Sequence, residues 1–445
     1  MRVLRSLKSA CLALAAWFIC GAALAQAPPS IPSIDAPELA ALGPYAVGLK
    51  RETLTQPAQA DLASLDAKGV APIKDRVLPL SIWYPARVVA GASAVTYSAT
   101  MDGEPGKPPV AFSAPGIAVL DAPAVAGGRF PLVILSHGYA GCPEAMTWLG
   151  ENLASKGYVV VAISHRDPPY GDPRGFPGPV LRRPLDIAFV ARSIQGAARS
   201  GDAFLSGLID PDRVAVIGYS MGGYGALTMA AGGFDPAGLP AHALPAAYVG
   251  PYLPGGAKAD EARIEGLKAV VALSPFTGLP GAPAWSPQTL ARVRTPLLLI
   301  VGDRDHVVGF SGVKAVFDAT TGASRRLLVF ENGDHSIPMN PASPEARASL
   351  WGLDWFEDPV WRKDRTIGIN LHMISAFLDL HMKGDASRAA YLDVATPKSD
   401  DAVWPATAAR AYGAYSPVAA PITVWKGFQR LHDAGLELWR GDPVR

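Results

Sequence analysis

Cysteine is nearly missing from this chain: 445 residues carry three, Cys11, Cys20 and Cys142. Long apolar runs are scarce as well. One stands out, Ala10 through Leu24, preceded by Arg2, Arg5 and Lys8 and closed by Ala23-Leu24-Ala25. A basic start, a short apolar stretch and an A-x-A end form the pattern of a secretory signal cut after Ala25, too short to span a bilayer. The expected location is therefore secreted or periplasmic, with no membrane span. Cleavage would leave Cys142 alone, so no internal disulfide is expected, and a chain of this size can bury a core without one. Cys142 is expected to be a small buried packing residue. Charge of one sign is also missing, with 40 Lys and Arg against 39 Asp and Glu, or 37 against 39 after cleavage. That balance gives no footprint for nucleic acid. There is no H-E-x-x-H, His372 and His381 lack ligand spacing, and neither G-x-x-x-x-G-K-[ST] nor G-x-G-x-x-G follows a strand. No metal and no cofactor is expected.

What is present is chemistry at strand ends. Arg213-Val214-Ala215-Val216-Ile217 reads as a buried strand, Gly218-Tyr219-Ser220-Met221-Gly222-Gly223 as a sharp turn, and Gly225 onward as a small-residue helix. Such a turn strains the serine backbone, lifts Oγ off the sheet and leaves the Met221 N–H at a helix start. Ser220 is the candidate nucleophile. A serine hydroxyl needs a base, and the base needs an orienting acid. Thr295 to Gly302 reads as a parallel strand followed by Asp303-Arg304-Asp305, and Arg325 to Phe330 as the next, followed by Gly333-Asp334-His335. His335 is the candidate base. Asp305, three residues past Gly302, can reach over the strand end and is the candidate acid. Asp303 better suits holding the loop, and Asp334 a solvated or capping role.

Oxyanion donors are expected from the Met221 N–H and from the Tyr139 N–H in Ser136-His137-Gly138-Tyr139, which follows the strand Phe130 to Leu135. His137 would support that turn. Candidate substrate contacts are Tyr139, whose ring could equally be an ordinary exposed aromatic, His165, for which a loop-structuring role is the other reading, and Tyr219. Alternating strands and helices from 131 to 331 predict a mostly parallel twisted sheet covered by helices on both faces. Residues 26–42, rich in Pro and Ala, read as a flexible leader. Residues 88–128 and 232–266 read as insertions, the second either a lid over Ser220 or an excursion far from it. Trp351, Trp355, Phe356 and Trp361 read as a loop that borders the site or packs elsewhere. Ile367–Met382 reads as a helix, and Val424 to Trp439 as a terminal amphipathic one.

The combination of Ser136-His137-Gly138-Tyr139, Gly218 to Gly223, Gly302-Asp303-Arg304-Asp305 and Gly333-Asp334-His335 resembles the serine α/β-hydrolases. Within them it is similar to the dienelactone-hydrolase-like group, with its platelet-activating-factor-acetylhydrolase-like esterases and polyester hydrolases. Leu80 to Ala86, Leu153 to Val160 and Ala376 to Asp379 fit that group too, so the resemblance spans residues 43–384, with 385–445 as a C-terminal extension. It implies an α/β-hydrolase fold, Ser220 as the acylated residue, and a small-molecule or polymeric ester as substrate. It departs from true dienelactone hydrolases, which have cysteine at the position of Ser220, and from polyester hydrolases, which are shorter and usually disulfide-stapled. A peptidase or amidase using the same triad, and a non-catalytic binding protein on the scaffold, are the alternatives.

Overall fold

The computed structural model describes residues 27–170, 172, 175–201, 204–407 and 415–444. The expected secretory signal lies outside them. Ten strands form one sheet: β1 (Ala46–Ala60), β2 (Ile73–Ala86), β3 (Val119–Leu120), β4 (Phe130–Ser136), β5 (Val159–Ile163), β6 (Ile209–Tyr219), β7 (Leu267–Leu273), β8 (Leu297–Gly302), β9 (Arg325–Phe330) and β10 (Leu436–Gly441). Their order is β10-β9-β8-β7-β6-β4-β5-β2-β1-β3. Strands β4 to β9 run parallel, while β2 pairs antiparallel with β1 and β5, and β10 antiparallel with β9.

The central strands are apolar at nearly every position because both faces are covered. On β4, Leu132 and Ile134 join one core with helices α2 (Pro177–Ser200), α3 (Met221–Ala230) and α4 (Phe310–Ala319). Val133 and Leu135 join the other with α1 (Thr147–Ser155) and α6 (Lys363–Met382). The period-2 alternation of side chains thus divides one continuous run between two cores. The carboxyl ends of β4, β6, β8 and β9 open on one edge, where a parallel sheet places its chemistry.

Two expectations are corrected, the flexible leader and the terminal helix, and the two insertions take shape. The leader is packed: Ser30 Oγ donates to Glu151 at 2.6 Å, Asn152 Nδ2 to the Ala40 carbonyl at 2.9 Å, and Lys156 Nζ to the Leu39 carbonyl at 2.6 Å. Its backbone and hydroxyl groups add partners to buried polar groups of α1 and to Lys156 just past it. Residues 88–128 carry a hairpin, Thr96–Met101 with Val110–Pro115, whose Tyr97 donates to Glu151 as well. Residues 232–266 lie along the helical layer, where Arg192 donates to the Glu261 and Arg263 carbonyls and Tyr248 Oη accepts from the Ala71 N–H. Helix α2 begins at Pro177 and carries Pro184 inside it. The tail ends in a strand where a helix was expected. Leu436 and Leu438 alternate with Glu437 and Trp439, a period of two, and six pairs join β10 to β9.

Candidate active site

The turn after β6 is made by close approach. A Cβ on Gly222 would lie 2.1 Å from the Ser136 carbonyl oxygen, and one on Gly218 2.1 Å from that of Gly222. Between them Ser220 sits at φ 53°, a region costing a non-glycine residue about 1–3 kcal/mol. Its backbone is pinned there: its N–H donates to the Leu273 carbonyl and its own carbonyl accepts from Phe276 N–H, each at 2.9 Å. Met221 is the first residue of α3, so its N–H has no intrahelical acceptor.

Three loops converge on that serine. His335 Nε2 lies 3.1 Å from Ser220 Oγ, and His335 Nδ1 lies 2.8 Å from Asp305 Oδ2. An ionised carboxylate only accepts, so Nδ1 carries the proton and Nε2 presents its lone pair to the hydroxyl. Burial alone would raise the Asp305 carboxyl. The His335 hydrogen bond and charge, with the Val308 N–H, outweigh it and hold the group below the usual carboxylate range. Its Oδ1 accepts from the Val307 and Val308 N–H groups at 3.0 Å each.

The neighbouring acids are engaged elsewhere. Asp303 accepts from the Asn332 N–H at 2.6 Å and ties the acid loop to the histidine loop. Asp334 caps the His335 N–H at 2.7 Å and meets His306 Nδ1 at 2.6 Å. Tyr219 stands behind the imidazole. Its hydroxyl donates to the His335 carbonyl at 3.2 Å, and its ring centroid lies 5.0 Å from that of His335. It packs against the imidazole, where a substrate contact was expected.

Of the two readings of His165, the structure favours the loop-structuring one over substrate contact. His165 is buried, with Nδ1 2.8 Å from Asp186 and Nε2 2.9 Å from Ser136 Oγ, so neither ring nitrogen is left for a substrate. Burial, then the charge of Arg183, pulls its pKa down to about 4, and the ring is neutral. His137 stands beside it, accepting the His165 N–H on Nε2 at 3.0 Å and donating Nδ1–H to the Gly138 carbonyl at 2.7 Å.

Sequence reasoning missed most of the surrounding wall. The half-buried Tyr139 ring lies 6.3 Å from Tyr170 and 6.4 Å from Phe176, and Phe176 lies 5.6 Å from Phe276, two residues past Ser274. Helix α5 (Leu350–Phe356) adds Trp351 and Trp355, 5.8 and 5.9 Å from Tyr170. Asp102, from the hairpin, accepts the Trp351 indole N–H on its carbonyl at 2.9 Å and the Tyr170 N–H on its carboxylate. Phe356 and Trp361 turn the other way, against Phe112 and Phe330.

Among the described residues no three His, Cys, Asp or Glu side chains gather as a metal site, and no helix is long and apolar enough to cross a membrane. Residues 108–236 match the family model of PET hydrolase-like proteins, PETase. Over 101 residues the chain is 37% identical to Cutinase 2 of Thermobifida cellulosilytica, covering 22% of this chain and 33% of that protein. The cutinase of Thermobifida fusca (strain YX) is 37% identical over 101 residues, covering 22% and 27%. The matched stretch thus spans a third or less of these curated relatives. A solved ferulic acid esterase from Streptomyces cinnamoneus aligns with a TM-score of 0.51 and 21% identity, over 78% of this chain and 94% of that one, a likeness of fold. The chain has the α/β-hydrolase fold, and Ser220 and Tyr139 both fall in the stretch that is similar to the PET hydrolase-like group.

Proposed function

We propose that this chain is an exported hydrolase of carboxylic esters that works through an acyl-enzyme on Ser220. One observation carries the reading: Ser220, His335 and Asp305 stand in a single hydrogen-bonded line at the carboxyl edge of the sheet. In the mechanism, His335 Nε2 removes the Ser220 proton as Oγ attacks the ester carbonyl carbon. Asp305 holds the ring and stabilises the imidazolium. The N–H groups of Met221 and Tyr139 receive the tetrahedral oxyanion. The C–O bond to the alcohol then breaks while His335 returns the proton to the leaving oxygen. Water, deprotonated by the same imidazole, attacks the acyl-enzyme and releases the acid.

The aromatic wall supports esters that carry a planar ring. Tyr139, Phe176 and Phe276 offer edges and faces beside the nucleophile, the geometry in which aromatic rings attract one another. The names of the similar proteins, PET hydrolase-like and ferulic acid esterase, point to ring-bearing esters too. The test is labelling by a fluorophosphonate together with rates on p-nitrophenyl esters. Labelling and hydrolysis should both vanish in a folded Ser220→Ala variant. A folded wild-type chain that takes no label would mean a binding protein, and a matched amide cleaved as fast as its ester would mean an amidase.

A further inference from the structure

We infer that Arg183 is the positioning residue of the oxyanion hole, fixing the aim of the Tyr139 N–H by gripping the carbonyl of the same peptide. The inference rests on the esterase reading and deepens it. Arg183 lies on α2 with no solvent exposure. Its Nη2 donates to the Gly138 carbonyl at 2.8 Å, and its Nη1 donates to the His137 carbonyl. A trans peptide is planar, with C=O and N–H pointing in opposite directions. Holding the Gly138 oxygen on the Arg183 side therefore turns the Tyr139 N–H to the other side. The nucleophile stands close to this peptide: a Cβ built on Gly138 would lie 3.3 Å from Ser220 Cβ.

The loop would not hold this shape unaided. Ala140, one residue on, sits at φ 52°, where a non-glycine residue is strained. Its N–H is captured by Asp167 Oδ2 at 3.0 Å, and Asp167 is the ion-pair partner of Arg183. The Gly138 carbonyl also accepts His137 Nδ1–H and, at 3.2 Å, the Gly141 N–H, so Arg183 is one of three donors that hold it. Flipping the peptide would forfeit all three and leave a buried guanidinium short of acceptors, a large cost. The far side of Arg183 is propped as well. Nη1 lies 3.4 Å from Ser136 Oγ, which meets His165, which meets Asp186, which is gripped twice at 2.6 Å by Arg76. This explains why His165 is buried in a chain of partners behind the loop.

The test is Arg183→Lys, which keeps the charge but cannot span two carbonyls and a carboxylate at once. The expected result is a fall in kcat of roughly 10- to 100-fold, somewhat less than deletion of an oxyanion donor, with KM nearly unchanged. Affinity for a trifluoromethyl ketone, whose hemiketal oxyanion occupies the hole, should fall in parallel, while affinity for the product acid stays. Guanidinium ion added to Arg183→Gly should restore part of the rate. A folded Arg183→Lys with wild-type kcat and wild-type ketone affinity would overturn the inference. Should that variant not fold, Asp167→Asn is read in the same way: parallel losses in kcat and ketone affinity support the grip, and unchanged values overturn it. A wild-type chain that takes no fluorophosphonate sinks the esterase reading itself, and this inference with it.

Discussion

Asp303 and Asp305 stand two positions apart, yet their partners assign them different work. Asp305 meets the imidazole at 2.8 Å, whereas Asp303 meets a backbone N–H across the loop at 2.6 Å. Asp305→Asn should present an amide N–H to His335, favour the wrong tautomer and lower kcat on the order of 10⁴-fold with the fold intact. Asp303→Asn should cost about 1 kcal/mol of stability and less than about tenfold in rate. Steady-state rates beside urea midpoints test this, and equal losses would reassign the acid. This contrast was legible in the sequence, because the distance from Gly302 set the reach of each side chain. The supports of the site were not. Arg183 and Asp167 act on it through folding that no local spacing records, and His165 is silenced by Asp186, 21 residues away.

Buried histidines give a second prediction at this scale. Burial, then neighbouring positive charge, pulls His165 down to about 4, His372 to about 3 and His381 to about 4, and drives His137 well below its ordinary 6.5. The folded chain stays unprotonated at these rings while the unfolded chain binds protons below about pH 6.5. Stability is therefore full above that value and declines as pH falls toward about 4, by on the order of 3 kcal/mol for His165 alone. The anionic Asp186 and Asp305, held below the ordinary 3.8, add their loss only below that value. Urea midpoints of Ser220→Ala across pH 7.5 to about 4 measure this. A midpoint that is flat down to pH 5 contradicts it.

At the scale of elements, legibility followed burial. Parallel strands closed on both faces are written as continuous apolar runs, so β4 to β9 could be found in order. Helix α5 could not, since seven residues hold barely two turns of period. Its tryptophans, at i and i+4, share one face and stand against Tyr170, whereas the adjacent Phe356 turns into the core. Trp351→Ala would remove the ring that Asp102 holds and loosen the outer wall. KM for an aryl ester should rise about 3- to 10-fold, the share of one aromatic contact, while that for a short acetate ester barely moves. Equal changes on both esters would separate α5 from substrate recognition.

At the scale of the whole molecule, the leader from Ser30 to Ala40 and the tail strand β10 belong to the fold. The leader joins α1 and α6: the Leu39 N–H donates to His372 Nδ1 at 3.1 Å, and Tyr391 Oη donates to Glu38 at 3.0 Å. The last strand closes the sheet. Without β10, the ladder groups of β9 that face it would be open, forming an unpaired edge beside an apolar run. The tail hides this from a local reading, because β10 pairs with a strand more than 100 residues earlier. Leu436 and Leu438 are buried, and losing each costs about 1.5–3 kcal/mol. Added to six lost pairings, that is a large share of the 5–15 kcal/mol that typically holds a domain. Ending the chain at residue 435 should therefore lower the melting temperature by roughly 10 °C or more and drive association through the open edge. Size-exclusion chromatography and thermal melts of the shortened chain test both outcomes. A monomer melting within about 2 °C of the full chain would show that the sheet is complete at β9.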